Sequence, residues 1–153
     1  MTPPVQVLIP LSGAAQDVEP CLRSLATHLP PGCTINVVES FRNLWVAGND
    51  LLLLDPHTEV TAGFLEEMQA VLHLHERHAV VTPRTDHAPF FGIGSQDIWT
   101  KIRDILPRYQ IAPAAGHFCM LIKGEVLQRF GLFGTGTRWT ISFAASIAAV
   151  TRR

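Results

Sequence analysis

The sequence predicts a single α/β domain, residues 1–153, with a mainly parallel central sheet flanked by helices. Three observations carry this reading. Short apolar runs alternate with segments of helical periodicity along nearly the whole chain. One run, "DLLLLD" (50–55), is apolar at four successive positions and therefore on both faces, as a central parallel strand requires. The chain has 153 residues, 47% apolar and 16% charged, which suits one domain with its own core.

Taken in order, "VQVLIP" (5–10) reads as a short buried strand ended by Pro10. After the loop "LSGAAQ", Val18, Cys21, Leu22, Leu25 and Leu29 recur at helical spacing until "PPG" stops the helix. "TINVVES" (34–40) is a second strand, "FRNLWVAGN" a loop, and "DLLLLD" the third strand. Thr61 is placed to cap a helix that buries Phe64, Leu65, Met68, Val71 and Leu72. "AVVTP" (79–83) is a fourth strand, and residues 84–95 form a loop rich in proline and glycine. "QDIWTKIRDIL" (96–106) reads as a helix, "HFCMLIK" (117–123) as a strand and "EVLQRF" as a short helix. "GLFGTGTR" is a loop, and the tail "WTISFAASIAAV" reads as a helix.

Charge and cysteine usage narrow the function classes. A formal charge of −1 and no basic stripe among aromatics argue against a nucleic-acid partner. The three cysteines, Cys21, Cys33 and Cys119, form no Cys-x-x-Cys pair, which argues against a structural zinc site. Their odd number fits a reducing compartment. "MTPPVQVLIPLSG" lacks the charged start and long apolar run of a secretion signal. No apolar run reaches the roughly 20 residues of a membrane span. A cytoplasmic protein without a transmembrane segment is the expectation.

Open α/β sheets bind ligands beyond the carboxyl ends of their strands. Pro10 and Leu11 follow the first strand, Glu39 the second, and Asp55 and His57 the third. A parallel sheet brings these loops to one edge. On residue types alone, Asp55-Pro56-His57 is either a cation and phosphate site or the polar end of a buried strand with a capping turn. Glu39 is likewise either a ligand residue or a solvent-facing strand end.

The order of several segments resembles the family-2 nucleotide-sugar glycosyltransferases, inverting enzymes of the GT-A fold. "VQVLIPLSG…VEPCLRSL" is similar to their opening strand, loop and helix. "LLLLDPHTEVTAGFLEEM" resembles the stretch with their Asp-x-Asp signature. "AVVTPRTD" and "GHFCMLIKGEVLQRFGLF" resemble later segments in the same order. The resemblance covers nearly the whole chain and implies a nucleoside-diphosphate sugar donor, a divalent cation (Mn2+ or Mg2+) and a glycan or other hydroxyl acceptor. It places Asp55 and His57 on the cation, with Glu39, Pro10 and Leu11 toward the nucleotide. A hard cation on carboxylate oxygen neutralises charge that builds on a diphosphate leaving group. Imidazole beside one carboxylate suits manganese better than magnesium.

The chain also departs from that pattern. The family's residue at position 57 is usually Asp, and an alignment offset by two would bring Thr58 and Glu59 nearer the site. The second strand ends "VVES" where Asp-Asp is usual, and the stretch after it is compressed to "FRNLWVAGND". From Val126 to Arg153 there is no Asp or Glu, so the family's carboxylate general base is missing. His117 and Asp86 are the replacement candidates for the sugar side or the base, each against the alternative of an exposed strand start or loop. The two resulting expectations are an inverting sugar transferase and a catalytically degenerate binding or scaffold domain of the same fold. Typical members continue past this point, which would leave apolar surface that a homodimer covers.

Other features have plainer explanations. His73, His75 and His78 close a helix, where the dipole favours positive charge. Trp99, Trp139, Phe90 and Phe91 suit either core or sugar stacking. "GLFGTGT" lacks the Lys-Ser/Thr of a phosphate loop.

Overall fold

The computed structural model describes residues 2–11, 17–39, 46–83, 101, 105, 107–112, 118–130 and 146–150. Among them the chain runs β1 (Val5–Pro10), α1 (Glu19–His28), β2 (Thr34–Val38), β3 (Asp50–Leu54) and α2 (Phe64–Leu72). It continues through β4 (His78–Pro83), β5 (Tyr109–Ala112), β6 (Cys119–Ile122), α3 (Gly124–Phe130) and β7 (Ser146–Val150). The strands form one sheet in the order β2-β1-β3-β6-β4-β7-β5.

β1 pairs parallel with β2 and β3, and β4 pairs parallel with β7. β6 runs antiparallel between β3 and β4, and β5 antiparallel beside β7. Five strands (β1, β2, β3, β4 and β7) therefore point one way, and the sheet is mainly parallel as the sequence predicts, although β7 is not among the predicted strands. β6 points the other way. Its Cys119 and Leu121 join the core on one face, and Met120 and Ile122 join it on the other. A strand apolar on both faces carries no mark of its direction.

β3 explains why the sheet is a closed-over layer. Leu52 and Leu54 pack with Val7, Ile9, Leu25 and Met68 on the face covered by α1 and α2. Leu51 and Leu53 pack with Leu8, Ile122 and Leu127 on the opposite face, where α3 lies. None of the four leucines is more than 3% exposed. At about 1.5–3 kcal/mol for each buried leucine, this strand is a principal anchor of the domain.

α1 starts with Pro20 in its first turn and buries Cys21 and Leu25. Its end is set by Pro30: Leu29 is extended (φ −76, ψ 136), as a residue before proline must be. α2 corrects one expectation. Thr61 does not cap it; Gly63 is the N-cap, at φ +74, and the helix starts at Phe64. Gly63 reaches the left-handed region without a Cβ penalty, so the chain turns there rather than two residues earlier.

The tail is a second correction. Ser146–Val150 is a strand paired with β4 and β5, not a helix. β5 has no counterpart in the sequence reading. Of the helix expected over 96–106, Lys101 is helical and Ile105 lies in a turn; the remainder lies outside the described residues.

A polar cluster fixes the amino-terminal end of β3. Asp50 is 1% exposed. Its Oδ1 accepts the Gly124 N–H at 2.9 Å, and its Oδ2 lies 2.6 Å from His73 Nε2. One carboxylate thus joins the start of α3 to the end of α2. Gly124 fits because the chain runs against Asn49: a Cβ there would come within 2.5 Å of the Asn49 carbonyl oxygen.

Candidate functional site

The opposite end of β3 is the carboxyl edge. From β1 the chain passes through α1 to β2 on one side, while β3 lies on the other. The order therefore reverses at β1, and a crevice at such a switch point is where open α/β sheets bind ligands. Pro10 ends β1 in register with Val38 of β2, and the Leu11 N–H donates to the Val38 carbonyl at 2.8 Å. Glu39, exposed, follows at once. Asp55 follows β3. The tips of β2 and β3 flank that of β1, about 10 Å apart from strand spacing alone. The predicted convergence of Pro10, Leu11, Glu39 and Asp55 on one edge is thus present.

Asp55 and His57 are brought into contact. Asp55 Oδ1 accepts the His57 backbone N–H at 2.8 Å and lies 3.0 Å from His57 Nδ1. Both side chains are open to solvent, at 43% and 66% exposure. Among the described residues neither Asp55 Oδ2 nor His57 Nε2 has a hydrogen-bond partner.

The loop carrying this pair is held from several directions. The Asp55 N–H donates to the Phe118 carbonyl at 2.8 Å, and the Thr58 N–H donates back to the Asp55 carbonyl at 3.0 Å. Thr58 Oγ1 donates to the same Phe118 carbonyl at 3.3 Å. From α1, the Cys21 thiol donates to the Asp55 carbonyl at 3.9 Å, and Ser24 Oγ accepts the Val60 N–H at 3.0 Å. Pro56 and Val60 are buried, so the turn is seated on the core.

The local charge is negative. No Lys or Arg occurs from Asn43 to Glu76. Burial pushes the Cys21 thiol up to about 11, with the Asp55 and Glu59 carboxylates adding to the rise. Burial, with a smaller push from Cys21, raises Cys119 to about 12. These thiols are protonated packing groups. The loop above them carries two carboxylates, Asp55 and Glu59.

The described residues contain no group of three or more His, Cys, Asp or Glu side chains spaced to hold a metal. Asp55 and His57 are a pair, and any cation there would need further ligands from its substrate or water. The three histidines near the end of α2 are separately occupied. His73 meets Asp50, His75 Nδ1 accepts the Arg77 N–H at 3.1 Å, and His78 Nδ1 donates to the Val71 carbonyl at 2.7 Å. His117, Asp86, Trp99, Trp139, Phe90 and Phe91 lie outside the described residues.

Sequence reasoning did not find Ser24 or the roles of Cys21 and Asp50. A faint signal existed for Ser24, since a serine between Cys21 and Leu25 interrupts the apolar side of a helix and invites a backbone bond.

No family model matches the chain, and no curated protein matches it. Fifteen solved chains do. One is the crystal structure of S. aureus TarS 1-349, with a TM-score of 0.58 and 12% identity. The match spans 97% of this chain and 58% of that one, so it covers little more than half of that structure. At that identity the likeness shows the fold: the present chain shares the fold of that structure. No helix among the described residues is long and apolar enough to cross a membrane.

Proposed function

We propose that the carboxyl edge of β1, β2 and β3 binds a nucleoside-diphosphate sugar together with a divalent cation, and that the domain transfers the sugar to a hydroxyl acceptor with inversion. The observation that supports this best is the Asp55–His57 pair beside a sheet switch point. Adjacent ligands of a six-coordinate cation with bonds of about 2.1 Å stand about 3 Å apart. Oδ1 and Nδ1 are 3.0 Å apart, so the pair has the spacing for Mn2+ or Mg2+ once the cation replaces the proton that Nδ1 shares with Oδ1. Two protein ligands suffice when substrate phosphates and waters complete the shell.

In this reading Asp55 and His57 hold the diphosphate end of the donor through the cation. Glu39 accepts hydrogen bonds from the nucleoside, and the backbone at Pro10 and Leu11 walls the crevice. The cation when bound neutralises charge on the departing diphosphate. The acceptor oxygen bonds to the anomeric carbon as the carbon–oxygen bond to the diphosphate breaks, and its proton passes to a base. His117 and Asp86 remain the candidates for that base.

A second reading has its own observation. The absence of any Asp or Glu between Val126 and Arg153 favours a domain that binds the donor without transfer. One experiment tests both. Melting temperature is measured with Mn2+, with a panel of nucleoside diphosphates, and with the two together. Ligand at a hundred times Kd adds about 2.7 kcal/mol. At 2–4 °C per kcal/mol for a domain of this size, that is a rise of roughly 5–10 °C. The rise should need both ligands and vanish in Asp55→Ala. No rise with any pair refutes the proposal. Sugar release or transfer from a bound donor then separates enzyme from binder.

A further inference from the structure

β2 is the last strand on its side of the sheet, and its outer edge is open. Among the described residues only β1 pairs with it. The Val38 carbonyl accepts the Leu11 N–H across to β1. Backbone groups alternate in direction along a strand, so Thr34, Asn36 and Val38 turn theirs to β1. Ile35 and Val37 turn their N–H and C=O outward. Their side chains lie in register with Val7 and Ile9, at the rim of the face that α1 covers, and are 39% and 40% exposed.

Natural edge strands are protected by charge, proline or a bulge. β2, "TINVV", has no charged residue and no proline, and its register with β1 is unbroken. Such an edge takes up another strand, and the spacing of its groups fits its own copy. The outward residues, Ile35 and Val37, stand symmetrically about Asn36. An antiparallel copy placed by a two-fold axis at Asn36 sets Ile35 opposite the partner's Val37, and Val37 opposite the partner's Ile35. Each copy offers two donors and two acceptors there, so the pair closes four hydrogen bonds with none left over. The side chains meet as apolar β-branched pairs.

On the other face Asn36 meets its own equivalent. Its Oδ1 accepts Gln6 Nε2 at 3.2 Å, and among the described residues its Nδ2 has no partner. An amide carries both donor and acceptor, so it complements itself across the axis. Glu39 falls opposite the partner's Cys33, so no like charges meet.

We propose that β2 is a dimerisation edge, which joins a second copy of this chain antiparallel about Asn36 and makes one continuous sheet of two. The interface is isologous and closes on itself. Because β2 and the partner's β2 run in opposite directions, the two Asp55 loops lie on opposite edges of the joined sheet.

Sedimentation of the full chain at micromolar concentration should show a dimer. Ile35→Pro removes one outward donor from each copy and no bond to β1, so it should weaken the dimer by roughly ten- to a hundredfold. Val37→Lys should weaken it too, by placing a charge in each apolar pair. Cysteine cross-linking tests the register separately. In a Cys33→Ser background, Asn36→Cys puts two thiols across the axis with Cα atoms about 4.5 Å apart, within disulfide reach. Thr34→Cys puts them about 13 Å apart. Mild oxidation should link the first variant and not the second. If Ile35→Pro or Val37→Lys fails to fold, the cross-link alone decides. A wild-type monomer, undiminished association of folded Ile35→Pro and Val37→Lys, or equal linking of the two cysteine variants overturns the proposal. Species larger than a dimer also overturn it, since they mark an open head-to-tail contact.

Discussion

Asp50→Ala tests whether the buried carboxylate at the start of β3 holds three elements together. The substitution removes the acceptor of the Gly124 N–H at 2.9 Å and the partner of His73 Nε2 at 2.6 Å. Bonds to a charged group contribute about 1.5–3 kcal/mol each. The Gly124 amide is buried and gains no water in exchange. The His73 side chain is 30% exposed, so water replaces part of its loss and its share falls at or below the low end. The expected total is about 3–4 kcal/mol. In urea, at about 2 kcal/mol per molar, the unfolding midpoint should drop by roughly 1.5–2 M with its slope unchanged. Asp50→Asn keeps an acceptor for Gly124 and should lose about half as much. A loss under about 1 kcal/mol for Asp50→Ala would refute the account, as would equal losses for the two variants.

Two further outcomes follow from the packing. Gly124→Ala should cost about 1–3 kcal/mol in the same urea assay, because its Cβ would meet backbone at Asn49, which cannot rotate aside. The buried thiols set an alkaline limit. Cys21 and Cys119 are raised from 9.0 to about 11 and about 12, so the folded state holds these protons more tightly than the unfolded chain. Their contribution is full below pH 9 and is lost as pH rises toward 11–12, at up to about 1.4 kcal/mol per pH unit for each thiol. Iodoacetamide at pH 8 should therefore modify both only at the rate of global unfolding, and fast labelling of native protein would contradict their placement.

The sequence made the left half of the sheet legible because there the local signals agree with the burial. "VQVLIP" and "LLLL" have no polar face to misplace, and α1 and α2 show apolar residues at helical spacing with proline or glycine at their ends. The tail was misread for a physical reason. "SFAASIAAV" is alanine-rich, and alanine favours a helix when nothing else decides. Pairing between β4 and β5 decides otherwise. β5 has only four residues, too few to show a period. Thr61 has the chemistry of a cap, but Gly63 has the conformation, and conformation placed the turn. At the site, strand order put Asp55 and Glu39 on one edge, which alternation of elements already implied. The Ser24 tie joins residues 36 apart in sequence, and no local pattern encodes such a contact.

The two aspartates that bracket β3 show how the same side chain is given different work. They stand five residues apart, about 17 Å along a strand. Asp50 is sealed in, and each of its oxygens faces a protein nitrogen. A ligand there would have to break bonds that hold α2 and α3. Asp55 is open, its Oδ1 is turned to a neighbour in its own loop, and among the described residues its Oδ2 has no partner. Binding at Asp55 would leave the loop's ties to Phe118 and Ser24 standing. The carboxyl end of β3 is therefore open for the ligand proposed there, whereas the amino end is committed to the fold. Exchanging the two environments, not the two residues, would be needed to move the site.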